Sequence, residues 1–199
     1  MNKIDNESIK DFSKSYFSYL TSIFDKIDLS EIEEFINILL AARERGATVY
    51  FIGNGGSAST ASHFANDLAF GVREYNKPFK VASLVDNTSV MTALGNDYGY
   101  DEIFSRQLQI YGKSGDVLVA ISASGNSKNL IKAFECALPM GIKTVALTAF
   151  DGGRLRKISD HCVHVPTNKG EYGPAEDIHL ILDHLVGNYL LRLMKKNQT

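Results

Sequence analysis

Short apolar runs alternate with helical patterns along most of the chain, and this alternation restricts the fold more than any other feature. Runs rich in β-branched and aromatic residues cover 48–52, 80–84, 117–121, 144–147 and 162–165. Helical patterns follow the first three runs, and a long one closes the chain from about 174 to 194. Because uniformly apolar strands need cover on both faces, the sequence predicts an α/β fold with a doubly wound parallel sheet.

Two helical patterns precede the first strand and form an N-terminal helical extension over about 7–45. The first covers 7–26 and carries large apolar residues at helical spacing. The second opens at Ser30, three residues before Glu33, and ends near Gly46. Two interpretations stay open for the first helix, which either packs on its own domain or forms an oligomer contact. No linker or repeat interrupts the sequence, so we expect one domain over 1–199.

The composition argues against several classes of function. The chain has 199 residues, 44% of them hydrophobic, and a net charge of −2, as in a soluble globular protein with a full core. This charge argues against an electrostatic nucleic-acid binder. No apolar run approaches the ~20 residues that cross a bilayer, and the N-terminus has no apolar signal core. Cys136 and Cys162 lack metal or redox spacing, so we expect a cytoplasmic protein.

A glycine-rich loop directly follows the first predicted strand. It reads Gly-Asn-Gly-Gly-Ser over 53–57. Glycines such as Gly55 let the backbone approach an anion closely, and the next helix offers free N–H groups. The loop fits neither the P-loop nor the dinucleotide fingerprint, so no nucleotide cofactor is expected.

A serine-rich loop, 122–127, follows the third predicted strand. Ser122, Ser124 and Ser127 can donate from their hydroxyls, and the amides near Gly125 can donate from the backbone. One serine would suffice to cap the next helix. Three hydroxyls therefore favour a neutral cradle for a phosphate dianion.

The two loops, together with the segment between them, carry a family resemblance. FIGNGGSA and ISASGNS, with GNDYGYDEIFSRQ between them, resemble the SIS (sugar isomerase) domain family and, within it, the phosphoheptose isomerases. The similarity runs from about residue 30 to the C-terminus. It implies a flavodoxin-like sheet, a homotetramer and active sites shared between subunits. The implied reaction converts sedoheptulose 7-phosphate into glycero-manno-heptose 7-phosphate, for the heptose of surface polysaccharide.

The resemblance also implies which residues bind the phosphorylated sugar. The loop 122–127, Ala123 included, is expected to hold the phosphate. Asn54 and Ser57 are expected to line the site, beside Gly55. Asp97, in the segment between the loops, is expected to contact a sugar hydroxyl.

Histidines and carboxylates on two predicted helices supply candidates for acid–base chemistry. His63 and Asp67 are four residues apart and share a face of the helix after the first loop. Glu176 and His184, on the last helix, are eight residues apart and can face one cleft. Moving a carbonyl between C1 and C2 needs a base for the carbon-bound proton and a group for the oxygen protons.

The resemblance assigns roles to these four side chains. It implies that Asp67 and His184 form the acid–base pair, and that some family members bind zinc at the positions of His63, Asp67, Glu176 and His184. This chain departs from the family twice, with Asp67 for a glutamate and Glu176 for a glutamine. The aspartate is one methylene shorter, and Glu176 adds a carboxylate that can take the base role or strengthen a metal site.

The remaining polar candidates receive structural interpretations. Asp183, Asp177 and Glu171 are interpreted as solvated surface residues. His161 and His164 alternate on the last predicted strand and are interpreted as structural.

Two other functions stay open beside the isomerase. One is a non-catalytic SIS protein that binds a phosphosugar or acts as an adaptor for a protein such as a replication initiator. The other is an isomerase of a different sugar phosphate, because a phosphate-binding loop does not determine how many carbons the sugar has. Four convergent ionisable groups beside a phosphate loop favour catalysis.

Overall fold

A computed structural model describes residues 8–196, and its centre is a parallel sheet. The strands are β1 (Thr48–Gly53), β2 (Lys80–Ser83), β3 (Val117–Ser122), β4 (Lys143–Ala149) and β5 (His161–Val165). They pair in the order β2-β1-β3-β4-β5, all parallel. This is the strand order of flavodoxin-like sheets, so the predicted fold class is confirmed.

Helices connect the strands and cover both faces of the sheet. They are α1 (Ile9–Phe24), α2 (Leu29–Glu44), α3 (Gly56–Asn66), α4 (Thr88–Tyr98), α5 (Ile103–Tyr111), α6 (Lys128–Ala137), α7 (Gly153–Ile158) and α8 (Tyr172–Lys196). Helices α5 and α7 were not predicted. Glu7, the predicted start of the first helix, lies outside the described residues. Within residues 8–196, no helix combines the length and apolar character needed to cross a bilayer.

Alternate strand residues supply two hydrophobic cores, one on each face of the sheet. In β1, Val49 and Phe51 join the core that includes residues of α2, α3 and α8. Tyr50 and Ile52 join the opposite core, which includes residues of α5 and α6. Because both faces are buried, β3 is buried along its whole length, as the uniformly apolar sequence predicted.

Helix α1 packs on its own chain along one side only. The hydroxyls of Tyr16 and Tyr19 donate hydrogen bonds to Asp177 and Glu171. The interpretation of Glu171 as a solvated residue is therefore wrong, and its side chain is buried. Some apolar side chains of α1 nevertheless remain exposed, with Ile9 at 74% and Phe17 at 66%. Packing on its own chain thus covers one side of α1, and the other side remains available for an oligomer contact.

Glycines let the serine-rich loop pack directly against the loop after β4. Gly125 has a φ of +61°, and a Cβ there would lie 2.0 Å from the carbonyl oxygen of Gly152. The carbonyl of Gly125 accepts a hydrogen bond from the amide of Leu155 at 2.9 Å. Backbone contact therefore fixes the loop that was predicted to hold phosphate.

We expect Gly125→Ala to lower the free energy of unfolding by more than about 3 kcal/mol, because backbone strain and a collision with Gly152 add together. Gly170→Ala is the matched control, since Gly170 has a φ of +89° and open space around it. That variant should lose only about 1–2 kcal/mol. Urea unfolding of both variants measures the difference, and equal losses would show that the close approach of the loops is unimportant.

Candidate active site

A cavity of about 160 Å³ opens where β1 and β3 end and is lined by both predicted loops. It lies at the carboxyl edge of the parallel strands, where ligands bind in such sheets. Its lining comprises Asn54, Ser57, Ile121, Ser122, Ala123, Ser124, Ser127, Tyr172 and Glu176. Most of the predicted substrate-binding residues therefore meet in one place.

The serine hydroxyls of the loop are only partly engaged. The hydroxyl oxygen of Ser122 accepts from the amide of Gly125 at 3.1 Å, and that of Ser124 accepts from the amide of Asn126 at 3.3 Å. Both hydroxyls keep their own proton for another acceptor. Ser127 precedes α6, yet its side chain makes no capping hydrogen bond within the described chain. Simple capping does not account for the three serines.

Asn54 is held in place by residues that the sequence analysis did not single out. Its side-chain amide pairs reciprocally with that of Asn129, at 2.9 and 2.8 Å. The hydroxyl of Tyr100 also donates to Asn54 Oδ1, at 2.8 Å. Asn129 is buried on α6, one turn from the phosphate loop, and Tyr100 follows α4. The sequence feature that could have indicated a role for Asn129 was an asparagine within an amphipathic helix.

Two predicted substrate residues lie outside the lining of this cavity. Asp97 is exposed on α4, where it accepts a hydrogen bond from Asn96 at 2.8 Å. Gly55 precedes α3 with a φ of +55°, a left-handed conformation that favours glycine. Its role is to turn the chain into α3.

Helices α3 and α8 pack alongside each other and bring the ionisable candidates to one stripe. Gly56 meets Glu176, because a Cβ at Gly56 would lie 2.4 Å from Glu176 Oε2. Further along, His63 Nδ1 lies 3.9 Å from an oxygen of Asp183. Further still, Gly187 faces Asp67. The two partners of each contact are the same number of residues apart in the sequence in all three cases, as expected for two parallel helices.

Two histidines and two aspartates form a compact cluster on this stripe. One ligand atom from each of His63, Asp67, Asp183 and His184 lies within 4.8 Å of all the others. His63 Nε2 is 3.7 Å from Asp67 Oδ1, and the rings of His63 and His184 are nearly perpendicular, with centroids 4.9 Å apart. These donors suit a borderline divalent ion such as zinc.

The membership of this cluster differs from the predicted metal set in one residue. The predicted metal set contained Glu176, but the structure places that carboxylate in the cavity beside Gly56 and brings Asp183 to the cluster instead. Asp183 was interpreted as solvated, yet it is 0% exposed. The helical periodicity could have identified Asp183, because it follows Glu176 by seven residues and therefore lies on the same face of α8.

Asp183 has an unusual electrostatic environment. Neither of its carboxylate oxygens has a hydrogen-bond partner among the residues that the structure describes. Burial, and then the charge of Asp67, raise the pKa of Asp183 to about 7. A buried carboxylate without a partner is costly, so this position favours a positively charged neighbour.

Asp67 begins a single π-helical turn, Asp67–Gly71, at the end of α3. Such turns often occur at functional sites, where they redirect a side chain. Asn66 Nδ2 donates to Asp67 Oδ1 at 2.9 Å. Gly71 and Gly187 flank the side chain between α3 and α8.

The other histidines of α8 and β5 serve the fold. His179 is buried, its Nε2 lies 3.3 Å from the carbonyl of Thr148, and burial lowers its pKa to about 4. The imidazole of His179 is therefore neutral at physiological pH. His161 Nε2 contacts the carbonyl of Glu31 at 2.7 Å, and the amide of His164 donates to the Glu31 carboxylate at 2.7 Å. These contacts join β5 to α2.

Comparison with known proteins identifies the family. Residues 15–149 match the model of the SIS domain. The chain is 41% identical over 155 residues to a phosphoheptose isomerase of Rhodospirillum rubrum, which covers 78% of this chain and 81% of the relative. It is 38% identical over 180 residues to a phosphoheptose isomerase of Sulfurimonas denitrificans, covering 89% and 91%.

Solved structures give the same result. A phosphoheptose isomerase from Neisseria gonorrhoeae superposes with a TM-score of 0.83 at 30% identity, over 92% of this chain and 98% of that one. A phosphoheptose isomerase from Francisella tularensis superposes with a TM-score of 0.84 at 26% identity, over 93% and 99%. The chain belongs to the SIS domain family and, within it, to the phosphoheptose isomerases.

Proposed function

We propose that this protein is an aldose–ketose isomerase that interconverts sedoheptulose 7-phosphate and glycero-manno-heptose 7-phosphate through an enediol. The observation that carries this proposal is the distance between two parts of the site. The phosphate loop adjoins the start of α3, and His63 lies seven residues further, about 10 Å along the helix axis. A sugar with its phosphate and its carbonyl at opposite ends can reach both parts.

The phosphate end of the substrate is bound by neutral donors. The hydroxyls of Ser122, Ser124 and Ser127 line the cavity, together with Asn54 and Ser57. The N-termini of α3 and α6 add partial positive charge. This arrangement explains how a chain with a net charge of −2 binds a dianion.

Glu176 is the best-placed carboxylate to act as the base. It lines the same cavity as the phosphate loop, and it precedes His184 on α8 by eight residues. A base here can remove a proton from one carbon and return it to the neighbouring carbon. Asp67 and His184, the acid–base pair that the family resemblance implies, then adjoin the carbonyl oxygens.

Zinc is the ion that we propose for the cluster. The fit rests on the two imidazoles, on the carboxylates, and on the partnerless oxygens of Asp183. When bound, a divalent ion polarises the substrate carbonyl as a Lewis acid.

We also propose that the protein is a cytoplasmic homotetramer. Apolar side chains remain exposed on the outer side of α1 and around α4 and α5, including Phe17, Tyr98 and Ile110. Helix α4 has no buried residue in the isolated, described chain. Neighbouring subunits would cover these surfaces and bring exposed residues such as Asp97 towards a second site. The free thiols of Cys136 and Cys162 suit a reducing compartment.

The isomerase activity is tested by incubating the purified protein with sedoheptulose 7-phosphate in D₂O and following the products by NMR. We expect the aldose to appear with deuterium at C2, because an enediol exchanges its carbon-bound proton with a base. Measurable binding of the sugar phosphate without turnover, with or without added zinc, would instead identify a phosphosugar-binding protein.

Glu176→Gln should lower kcat about 100-fold or more, because it removes the base while keeping the shape of the side chain. Glu34→Gln is the matched control, with the same substitution on an exposed helical residue, and it should stay within about twofold of the wild type. Steady-state kinetics of both variants and of Asp67→Asn complete the test. Full turnover in both Glu176→Gln and Asp67→Asn would show that the carboxylates are wrongly assigned.

Light scattering tests the quaternary structure. We expect a monodisperse species of four chains, each of 21.9 kDa, because the exposed apolar surfaces need cover. A monodisperse species with the mass of one chain would refute the tetramer.

A further inference from the structure

We propose that Asn129 and Tyr100 are positioning residues for the substrate, because together they leave the side chain of Asn54 able to donate one hydrogen bond and to accept none. This inference deepens the proposed function and rests on it for the choice of ligand, a phosphorylated sugar. A count of the donors and acceptors around Asn54 carries the argument.

The count begins at a backbone amide whose role is unambiguous. Leu130 lies in the first turn of α6, where an amide has no carbonyl of its own helix to bond. It donates instead to the side chain of Asn129, at 3.0 Å. Because a backbone amide can only donate, the atom that it contacts is Oδ1, and the other atom of that group is Nδ2. The side chain of Asn129, which is 2% exposed, therefore has one orientation.

The orientation of Asn129 determines that of Asn54. Asn129 Nδ2 donates to Asn54 Oδ1 at 2.8 Å, and Asn54 Nδ2 donates to Asn129 Oδ1 at 2.9 Å. The hydroxyl of Tyr100 also donates to Asn54 Oδ1, at 2.8 Å. A carbonyl oxygen has two lone pairs, so Asn54 Oδ1 has no accepting capacity left, whereas Nδ2 keeps one of its two protons.

The remaining N–H of Asn54 is the group that this side chain can offer to a ligand. Asn54 lines the cavity between the two loops, together with Ser57, Ser122 and Ser124. Any hydrogen bond between its side chain and a molecule in this cavity must therefore come from that N–H. Such a donor suits an acceptor oxygen of a phosphorylated sugar. Because the amide is oriented before the ligand arrives, binding costs little ordering entropy.

Tyr100 connects this arrangement to a second segment of the chain. It belongs to the four-residue connection 99–102 between α4 and α5, and it is 58% exposed. Asn129, in contrast, is buried on α6. Removing the hydroxyl of Tyr100 returns one lone pair to Asn54 Oδ1 and leaves the buried amide pair intact. Tyr100→Phe therefore alters the hydrogen bonding of Asn54 without removing a buried group.

The test measures the binding of a ligand that cannot react, namely the alditol phosphates obtained by reducing the carbonyl of sedoheptulose 7-phosphate. Calorimetry compares the full-length wild type with its variants. We expect Asn54→Ala to weaken binding about 10- to 100-fold, since it removes a hydrogen bond to the ligand. Tyr100→Phe should weaken binding about three- to tenfold. Tyr75→Phe, the same substitution at another exposed tyrosine, should leave the affinity unchanged.

A double-mutant cycle shows whether the positioning residues act through Asn54. In the Asn54→Ala background, Tyr100→Phe should change the affinity less than about 1.5-fold, because the amide that it orients is gone. Asn129→Ala should weaken binding at least about tenfold in the wild-type background, and less than about 1.5-fold in the Asn54→Ala background. Thermal unfolding checks that every variant folds.

Steady-state kinetics give a second readout. Tyr100→Phe should raise KM and keep kcat within about twofold of the wild type, because the N–H of Asn54 binds the substrate and the transition state alike. A merely structural role of Tyr100 would lower the unfolding temperature and leave KM unchanged.

The outcomes separate this inference from the proposed function. Equal losses from Tyr100→Phe with and without Asn54, or no loss in either background, overturn the positioning role. Unchanged binding in Asn54→Ala overturns the donor itself, as does a wild type that does not bind the alditol phosphates. Binding that depends on Asn54 and Tyr100, in a protein that does not convert sedoheptulose 7-phosphate, refutes the proposed reaction and leaves this inference standing.

Discussion

The packing of α3 against α8 sets the distances on which the rest of the site depends. Gly56 lets Glu176 lie against the first turn of α3, because a Cβ there would be 2.4 Å from the carboxylate, and Gly187 contacts Asp67 at the other end. Helix α3 starts where β1 ends, so this contact also connects the cluster of histidines and aspartates to the cavity. A shift of either helix by one residue would turn the stripe away from the cavity, because successive helical residues point about 100° apart.

The cavity that we propose for the phosphate is lined by oriented dipoles, and neither lysine nor arginine is among its lining residues. Serines, an asparagine and backbone amides surround the cavity, and the carboxylate among its lining residues belongs to Glu176. Such donors are already in place before the ligand arrives, since the loop is fixed by backbone contact between Gly125 and Gly152. Preorganised donors lose little entropy on binding and therefore make up for the missing cations.

Three carboxylates share one pair of helices, but their environments differ. Glu176 lies beside the N-terminus of α3, where the helix dipole favours a negative charge. Asp183 is buried without a hydrogen-bond partner among the described residues, and burial, followed by the charge of Asp67, raises its pKa to about 7. Asp67 lies at a π-helical turn between two glycines. Groups of the same chemistry can take different roles when their surroundings differ in this way, as in other enzymes that use paired acids.

Much of the fold was predictable because its determinants are local. The uniformly apolar strands predicted a parallel sheet buried on both faces, and the strand order confirmed it. Helix α5 was missed because it follows α4 after a connection of only four residues, 99–102, so no loop signal separates the two helices. Residues of the two loops were found from composition, because glycine and serine at the end of a strand have few other uses.

The different positions of the acidic residues Asp183 and Glu176 were not predictable in the same way. The sequence by itself determined the sheet, the two loops and the four residues of the first acid–base set. Only the tertiary structure decided that Asp183 joins the cluster while Glu176 remains in the cavity. The physical reason is that the burial and partners of a side chain depend on the register between α3 and α8, and residues distant in sequence determine that register.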